Sequence, residues 1–206
     1  MSRLPWIIVL MAVAAGFGLW LGMRGDGAGA PPKFQAMLAY GAPRALTDFD
    51  LEASDGGHLD RARLRGRYSL LFFGFLHCPD VCPTAMATMG EVDKLLDALP
   101  ASVKPNLVFI SVDPARDTAQ ATGAYAQHFS PRILGATGDD AALESFTRQM
   151  GVLYAPQPAK EGEYNVDHSA HFVVLDPEVQ VIGIMRPPHV ASAVAADLRQ
   201  LIEASR

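Results

Sequence analysis

Between Pro5 and Met23 the chain reads PWIIVLMAVAAGFGLWLGM, with no charged residue and no polar face. A helix needs roughly 20 apolar residues to cross the hydrocarbon core of a bilayer, and this run is close to that. Trp6 and Trp20 stand near its ends, where indole rings favour the membrane interface, and Arg3 and Arg24 bracket it. The pattern predicts one N-terminal transmembrane helix, an anchor over residues 5–23 after a short tail of residues 1–4. A cleaved signal peptide is the competing reading. Its apolar core is usually shorter, about 7–15 residues, and the nearby Ala28-Gly29-Ala30 pattern is followed by Pro31, which hinders cleavage.

Residues 24–45 are rich in Gly, Ala and Pro and read as a flexible linker that lifts the remainder, residues 46–206, off the membrane. Beyond it the pattern changes. Thr47–Ala53 and Gly57-His58 flank Asp55-Gly56-Gly57 as a short hairpin. Tyr68–Phe75 is a continuous apolar run, as expected of a strand buried on both faces. From Pro83 to Leu99 the positions Met86, Met89, Val92, Leu95, Leu96 and Leu99 mark one face of a helix. Strands follow over Asn106–Val112 and Ile133–Ala136, with helices over Asp117–Phe129 and Asp140–Met150. His171–Leu175 and Val181–Met185 form a late hairpin about Asp176-Pro177-Glu178, and Val190–Glu203 is a closing helix. This order predicts an α/β sandwich with a mixed central sheet, the order of the thioredoxin architecture. In such folds chemistry collects beyond the carboxyl ends of the strands.

Composition narrows the reading. At 206 residues, 50% hydrophobic and 19% charged, the chain can bury one sizeable core. Net charge is −5 with no basic block, so nothing calls for nucleic acid. The two cysteines, Cys78 and Cys82, are too few and too close for a disulfide framework. The segment before the apolar run is poor in Arg and Ser, unlike a mitochondrial transit peptide, so a bacterial inner-membrane protein is the simpler expectation.

The chemistry concentrates in His77-Cys78-Pro79-Asp80-Val81-Cys82-Pro83. This segment joins a buried strand to a helix, whose N-terminus offers unpaired N–H groups and partial positive charge. Thiolates are favoured there, which predicts reactive cysteines. If the segment is helical, the C-x-x-x-C spacing puts both sulfurs on one face, at the long end of what a disulfide tolerates. Two convergent thiolates also suit Cu(I). Tyr164–His171 precedes the late hairpin and can pass beside the cysteine loop, so His168 is the candidate third ligand, helping to hold Cu(II) as well. Asp167 is a candidate weak oxygen ligand or outer hydrogen-bond partner. Spacing alone leaves metal, redox and structural uses open.

Three segments carry a resemblance: FFGFLHCPDVCP (72–83), ISVDPARDT (110–118) and YNVDHSAHFVVLDP (164–177). In that order, over about residues 45–200, the chain resembles the SCO/SenC family of thioredoxin-like copper chaperones. The resemblance implies copper, Cu(I) and Cu(II), held by Cys78, Cys82 and His168. It implies delivery to the dinuclear copper centre of cytochrome c oxidase, hence a copper-accepting oxidase subunit as partner, with a periplasmic copper donor and a thiol reductant. The soluble domain is then expected to face the periplasm. The hairpin turn departs from the family's usual D-P-D/N-G pattern, which affects turn geometry and no ligand.

An enzyme is the second reading: a thiol–disulfide oxidoreductase using Cys78 and Cys82 to reduce the acceptor's cysteines before metallation. A peroxide-reducing enzyme of related fold would want threonine three residues before the reactive cysteine, where this chain has Phe75. Ordinary roles are expected for the neighbours. His77 is a solvated loop histidine. Met86 and Met89 fill the core. His171 lies on the strand face opposite His168. Asp113, Arg116 and Asp117 fix the turn after a strand, with partner docking the lesser reading.

Overall fold

The computed structural model describes the backbone of residues 4–25, 33–157 and 164–205. It comprises two compact units, Met1–Lys33 and Phe34–Arg206. The first holds α1 (Leu4–Gly25), a helix whose described apolar side chains, from Trp6 to Trp20, are exposed. Among the described residues no helix is long and apolar enough to cross a membrane. The expected anchor thus rests on the sequence run, part of whose side chains lie outside the described residues. So do most of the expected tail and the linker residues 26–32.

The second unit runs β1 (Met37–Ala45), β2 (Asp50–Ala53), β3 (His58–Asp60), α2 (Arg61–Leu64), β4 (Ser69–Gly74), α3 (Val81–Leu95), β5 (Asn106–Ser111), α4 (Ala119–Gln127), β6 (Ile133–Thr137), α5 (Asp140–Met150), β7 (Tyr154–Pro156), β8 (Val166–His168), β9 (Phe172–Leu175), β10 (Gln180–Met185) and α6 (Ala191–Ala204). Eight strands form one mixed sheet in the order β1-β10-β9-β4-β5-β6-β2-β3. The β4, β5 and β6 strands are parallel, and the others pair antiparallel. The small β7–β8 ladder stands apart from it.

Every residue of β4 is buried, which explains its unbroken apolar pattern. Alternation sends Phe72 to one face, beside Phe109 and thence Tyr125 of α4, while Phe73 meets Phe146 of α5 on the other. Helices therefore cover both faces of the parallel centre. Helix α3 packs on α6, and at Gly90 it meets the backbone of Phe129 just after α4. Asp139 caps α5 by accepting from Ala142 N at 2.8 Å, and Gly151 ends it at φ 71°, where a side chain is disfavoured.

The linker boundary at residue 45 is wrong. Residues 37–45 form edge strand β1, paired from Met37↔Met185 to Ala45↔Gln180 with a register shift between Ala39 and Arg44. Asp197 of α6 fastens its start, accepting from the backbone N–H groups of Gln35, Ala36 and Met37 at 2.7–2.8 Å. An edge strand is recruited through its backbone. Its mostly exposed side chains need no apolar alternation, and Gly41 and Pro43 are tolerated around the irregularity. The departure at the late turn also has a structural counterpart: buried Val179 sits at φ 62°, a left-handed conformation that β-branched residues resist.

Candidate metal centre

The cysteine loop leaves the carboxyl end of β4 and enters α3. Asp117 steadies its start by accepting from Leu76 N at 2.9 Å, and Cys78 N donates to Phe75 O at 3.3 Å. Only Cys82 is helical, in the first turn of α3; Cys78 lies in the loop before it. Asp80 at the N-cap makes no side-chain cap bond, and Cys78 Sγ instead accepts from Cys82 N at 3.4 Å. A sulfur in that place has a backbone N–H and the positive helix end to complement negative charge.

Cys82 differs from the expectation of two activated thiols. It is fully buried, and burial pushes its thiol well above the ordinary range. Gly74 makes room for its sulfur: a Cβ there would stand 2.6 Å from Cys82 Sγ and 3.1 Å from the Phe109 ring. The two cysteines are unbonded to each other.

His168 ends β8 and brings Nε2 to 3.2 Å from Cys82 Sγ. Its Nδ1 lies 3.2 Å from the Ser169 carbonyl, which can only accept, so the proton belongs on Nδ1 and the Nε2 lone pair faces the sulfur. Burial lowers the His168 pKa and so favours the neutral ring. Phe72 and Phe75 present their rings edge-on to the imidazole, with centroids 6.0 and 5.8 Å away.

Ligand atoms of Cys78, Cys82 and His168 all lie within 4.8 Å of one another, the sole such trio among the described residues. Metal bonds of about 2.0–2.3 Å would set trigonal S and N ligands roughly 3.5–4 Å apart, so small movements would accommodate an ion. Two sulfurs and a neutral imidazole suit a soft or borderline metal; two thiols alone can also cycle electrons. A hollow of about 190 Å³ bordered by Cys78, Pro79, Val81, Asn165, Asp167 and His168 opens two of the three, Cys78 and His168, to solvent, while Cys82 stays buried behind them. A larger and more open hollow of about 280 Å³, lined by Leu153, Tyr154, Ala155 and Ser169, also borders Asp167 and His168. In another of about 330 Å³, away from the trio, Arg63 and Arg132 are already paired with Asp55 and Asp93.

The remaining candidates separate cleanly. Asp167 is exposed and accepts from Gln157 Nε2 at 2.5 Å, because strand alternation turns it away from His168. His171 lies outside the trio as expected, though for a different reason: β8 ends at His168, so the two do not share a strand. His77 is exposed, 3.7 Å from Asp117 Oδ1. Met86 and Met89 are core. Four contributors have no role in the sequence reading of the site: Gly74, the Phe72 and Phe75 rings, and Tyr164, whose hydroxyl donates to Asp113 at 2.5 Å. Gly74 left a signal, a lone glycine closing an otherwise apolar strand run.

Residues 39–203 match the SCO1/SenC family model. Among curated proteins, the mitochondrial protein SCO2 homolog of Bos taurus is 35% identical over 84% of this chain and 65% of its own length. Thus the chain spans somewhat less than two thirds of that relative. Among solved structures, Bradyrhizobium japonicum ScoI with copper bound is similar at TM-score 0.69 and 32% identity, over 76% of this chain and 99% of that one. Yeast Sco1 with copper bound is similar at TM-score 0.71 and 29% identity, over 79% of this chain and 90% of that one.

Proposed function

Because the chain belongs to the SCO1/SenC family, we propose that it is a copper chaperone whose cargo is held by Cys78, Cys82 and His168 and passed to the dinuclear copper centre of cytochrome c oxidase. The observation that carries this reading is the convergence of two sulfurs and a neutral imidazole within 4.8 Å, beside an opening to solvent. Both cysteines bind as thiolates. Cu(I) is satisfied by that pair, whereas Cu(II) needs the imidazole too. The ion leaves by ligand exchange with sulfur and nitrogen donors of the oxidase subunit. Residues 5–23 anchor the chain in a bacterial inner membrane and hold the second unit on the periplasmic side. Support for the anchor is the uncharged run with its terminal tryptophans.

Titration of the reduced full chain in detergent with Cu(I) and Cu(II), followed optically and by spin resonance, tests the proposal. One ion should bind per chain, with a thiolate-to-Cu(II) absorption band. Cys78→Ser should abolish tight binding of both ions. His168→Ala should weaken Cu(II) far more than Cu(I). Full copper affinity in Cys78→Ser would overturn the assignment.

The reductase reading draws on the contrast between the two sulfurs. Cys78 is partly exposed and Cys82 buried, as an attacking and a resolving thiol would be. Cys78 thiolate would attack an acceptor disulfide, and Cys82 would then displace the acceptor thiol, leaving the acceptor reduced and the pair oxidised. Burial of Cys82 opposes that second step by disfavouring its thiolate. Turnover of a protein disulfide without copper would favour this reading.

A further inference from the structure

We infer that Asp113, Arg116 and Tyr164 form a clamp that sets the position of His168 against the cysteines, and so determines how strongly the centre holds Cu(II) relative to Cu(I). The inference rests on the copper reading above for its functional consequence. The clamp itself is independent of it.

Among the described residues, strand β8, which carries His168, pairs with β7 alone, so the main sheet's hydrogen-bond ladder does not directly fix the histidine. On its far side the segment is held at Ser169, whose N–H donates to Leu153 O at 2.9 Å and whose Oγ accepts from Leu153 N at 3.1 Å; on its near side it is held at Tyr164. Arg116 Nε donates to Asp113 Oδ2 at 2.6 Å, and its Nη1 donates to the Tyr164 carbonyl at 3.0 Å. The guanidinium lies 3.7 Å from the centroid of the Tyr164 ring, and Tyr164 Oη closes the circuit by donating to Asp113 Oδ1 at 2.5 Å. Asp113 is only 3% exposed, and these partners satisfy both of its carboxylate oxygens. A planar fork that bonds, stacks and carries charge at once is particular to arginine.

The clamp sits on the same turn that holds the other half of the centre. Asp117, one residue beyond Arg116, accepts from Leu76 N in the cysteine loop and from buried Ser111 Oγ at 2.6 Å. The Arg116 guanidinium also lies 5.8 Å from the Phe75 ring, which in turn flanks His168. The turn after β5 therefore ties both ligand-bearing segments to one rigid strand end. Releasing Tyr164 would leave the cysteines in place and loosen the imidazole. Two thiolates still hold Cu(I), so the loss should fall on Cu(II).

The test uses Arg116→Lys, which keeps a cation beside Asp113 but lacks the fork, together with Tyr164→Ala and the milder Tyr164→Phe, all in the full chain. Arg116→Lys and Tyr164→Ala should lower Cu(II) affinity about 10–100-fold, the range typical for residues that orient a ligand. They should weaken the nitrogen coupling in the Cu(II) spin-resonance spectrum and leave Cu(I) affinity nearly unchanged. Tyr164→Phe, which loses only the hydroxyl, should fall between them and the parent. In the metal-free protein, nuclear Overhauser contacts from His168 to Phe72 and Phe75 should weaken in the first two variants. That readout needs no copper, so failure of the copper reading and failure of the clamp are told apart. Parent-like Cu(II) affinity and His168 contacts in both Arg116→Lys and Tyr164→Ala would overturn the clamp. Equal losses for Cu(I) and Cu(II) would also overturn it, because they would mark general damage. Metal-free melting checks the fold, and should either stronger variant unfold, the graded loss in Tyr164→Phe decides.

Discussion

Cys82 shows how one position can be reactive by sequence and quiet by environment. Its place in a helix's first turn favours a thiolate, yet burial raises its pKa, and here burial dominates. Copper binding must therefore displace the Cys82 proton. Burial lowers the His168 pKa, which reduces proton competition at that ligand. Apparent copper affinity should thus rise with pH, by about tenfold per unit for each proton displaced. Competition titrations between about pH 7 and 8 check the sign, and a flat profile would refute it. The same sulfur depends on a missing methyl. Gly74→Ala should push Cys82 Sγ out of place, lower copper affinity at least about tenfold, and cost about 1–3 kcal/mol of stability. Copper titration and denaturant unfolding of that variant measure the two effects separately.

Among the elements, those with strong internal periodicity were legible. The run at Tyr68–Phe75 became β4, and Asp140–Met150 became α5 at the expected bounds. The β2–β3 hairpin at one edge was legible from its turn, but β1 at the other edge and the separate β7–β8 pair were not. Strand β1 carries no apolar alternation because only its backbone is recruited, and β7 and β8 are three residues each. The tie that makes β1 part of the fold is buried Asp197, remote in sequence. Asp197→Ala should remove three charge-assisted bonds and cost about 3 kcal/mol or more, with faster amide exchange confined mainly to β1. Asp197→Asn should recover part of that loss. Denaturant unfolding with hydrogen exchange tests both variants, and unchanged exchange at Met37 would refute the role.

On the scale of the whole molecule, the core cluster and all three candidate ligands lie inside residues 34–206. Removing residues 1–33 should therefore leave folding and copper affinity unchanged while releasing the protein from membranes. Thermal unfolding, copper titration and membrane fractionation of the shortened and full chains measure these outcomes. A full chain that stays in the soluble fraction would remove the anchor from the proposal. A shortened chain that fails to fold would contradict the division into two units.

By itself the sequence determined what local pattern can encode. Unbroken apolar runs marked the central strands, 3.6-residue periodicity marked the helices, and C-x-x-x-C after a buried strand marked the working loop. Together with the motifs resembling SCO/SenC proteins, it also singled out His168. Only the tertiary structure decided what depends on distance. It set His168 beside Cys82 across 86 residues of chain, turned Asp167 away, buried one thiol and left the other partly open. It also joined Arg116 to Tyr164 across 48 residues. Solvation, ring packing and ligand geometry arise between segments that meet only in the fold, so no single stretch of sequence contains them.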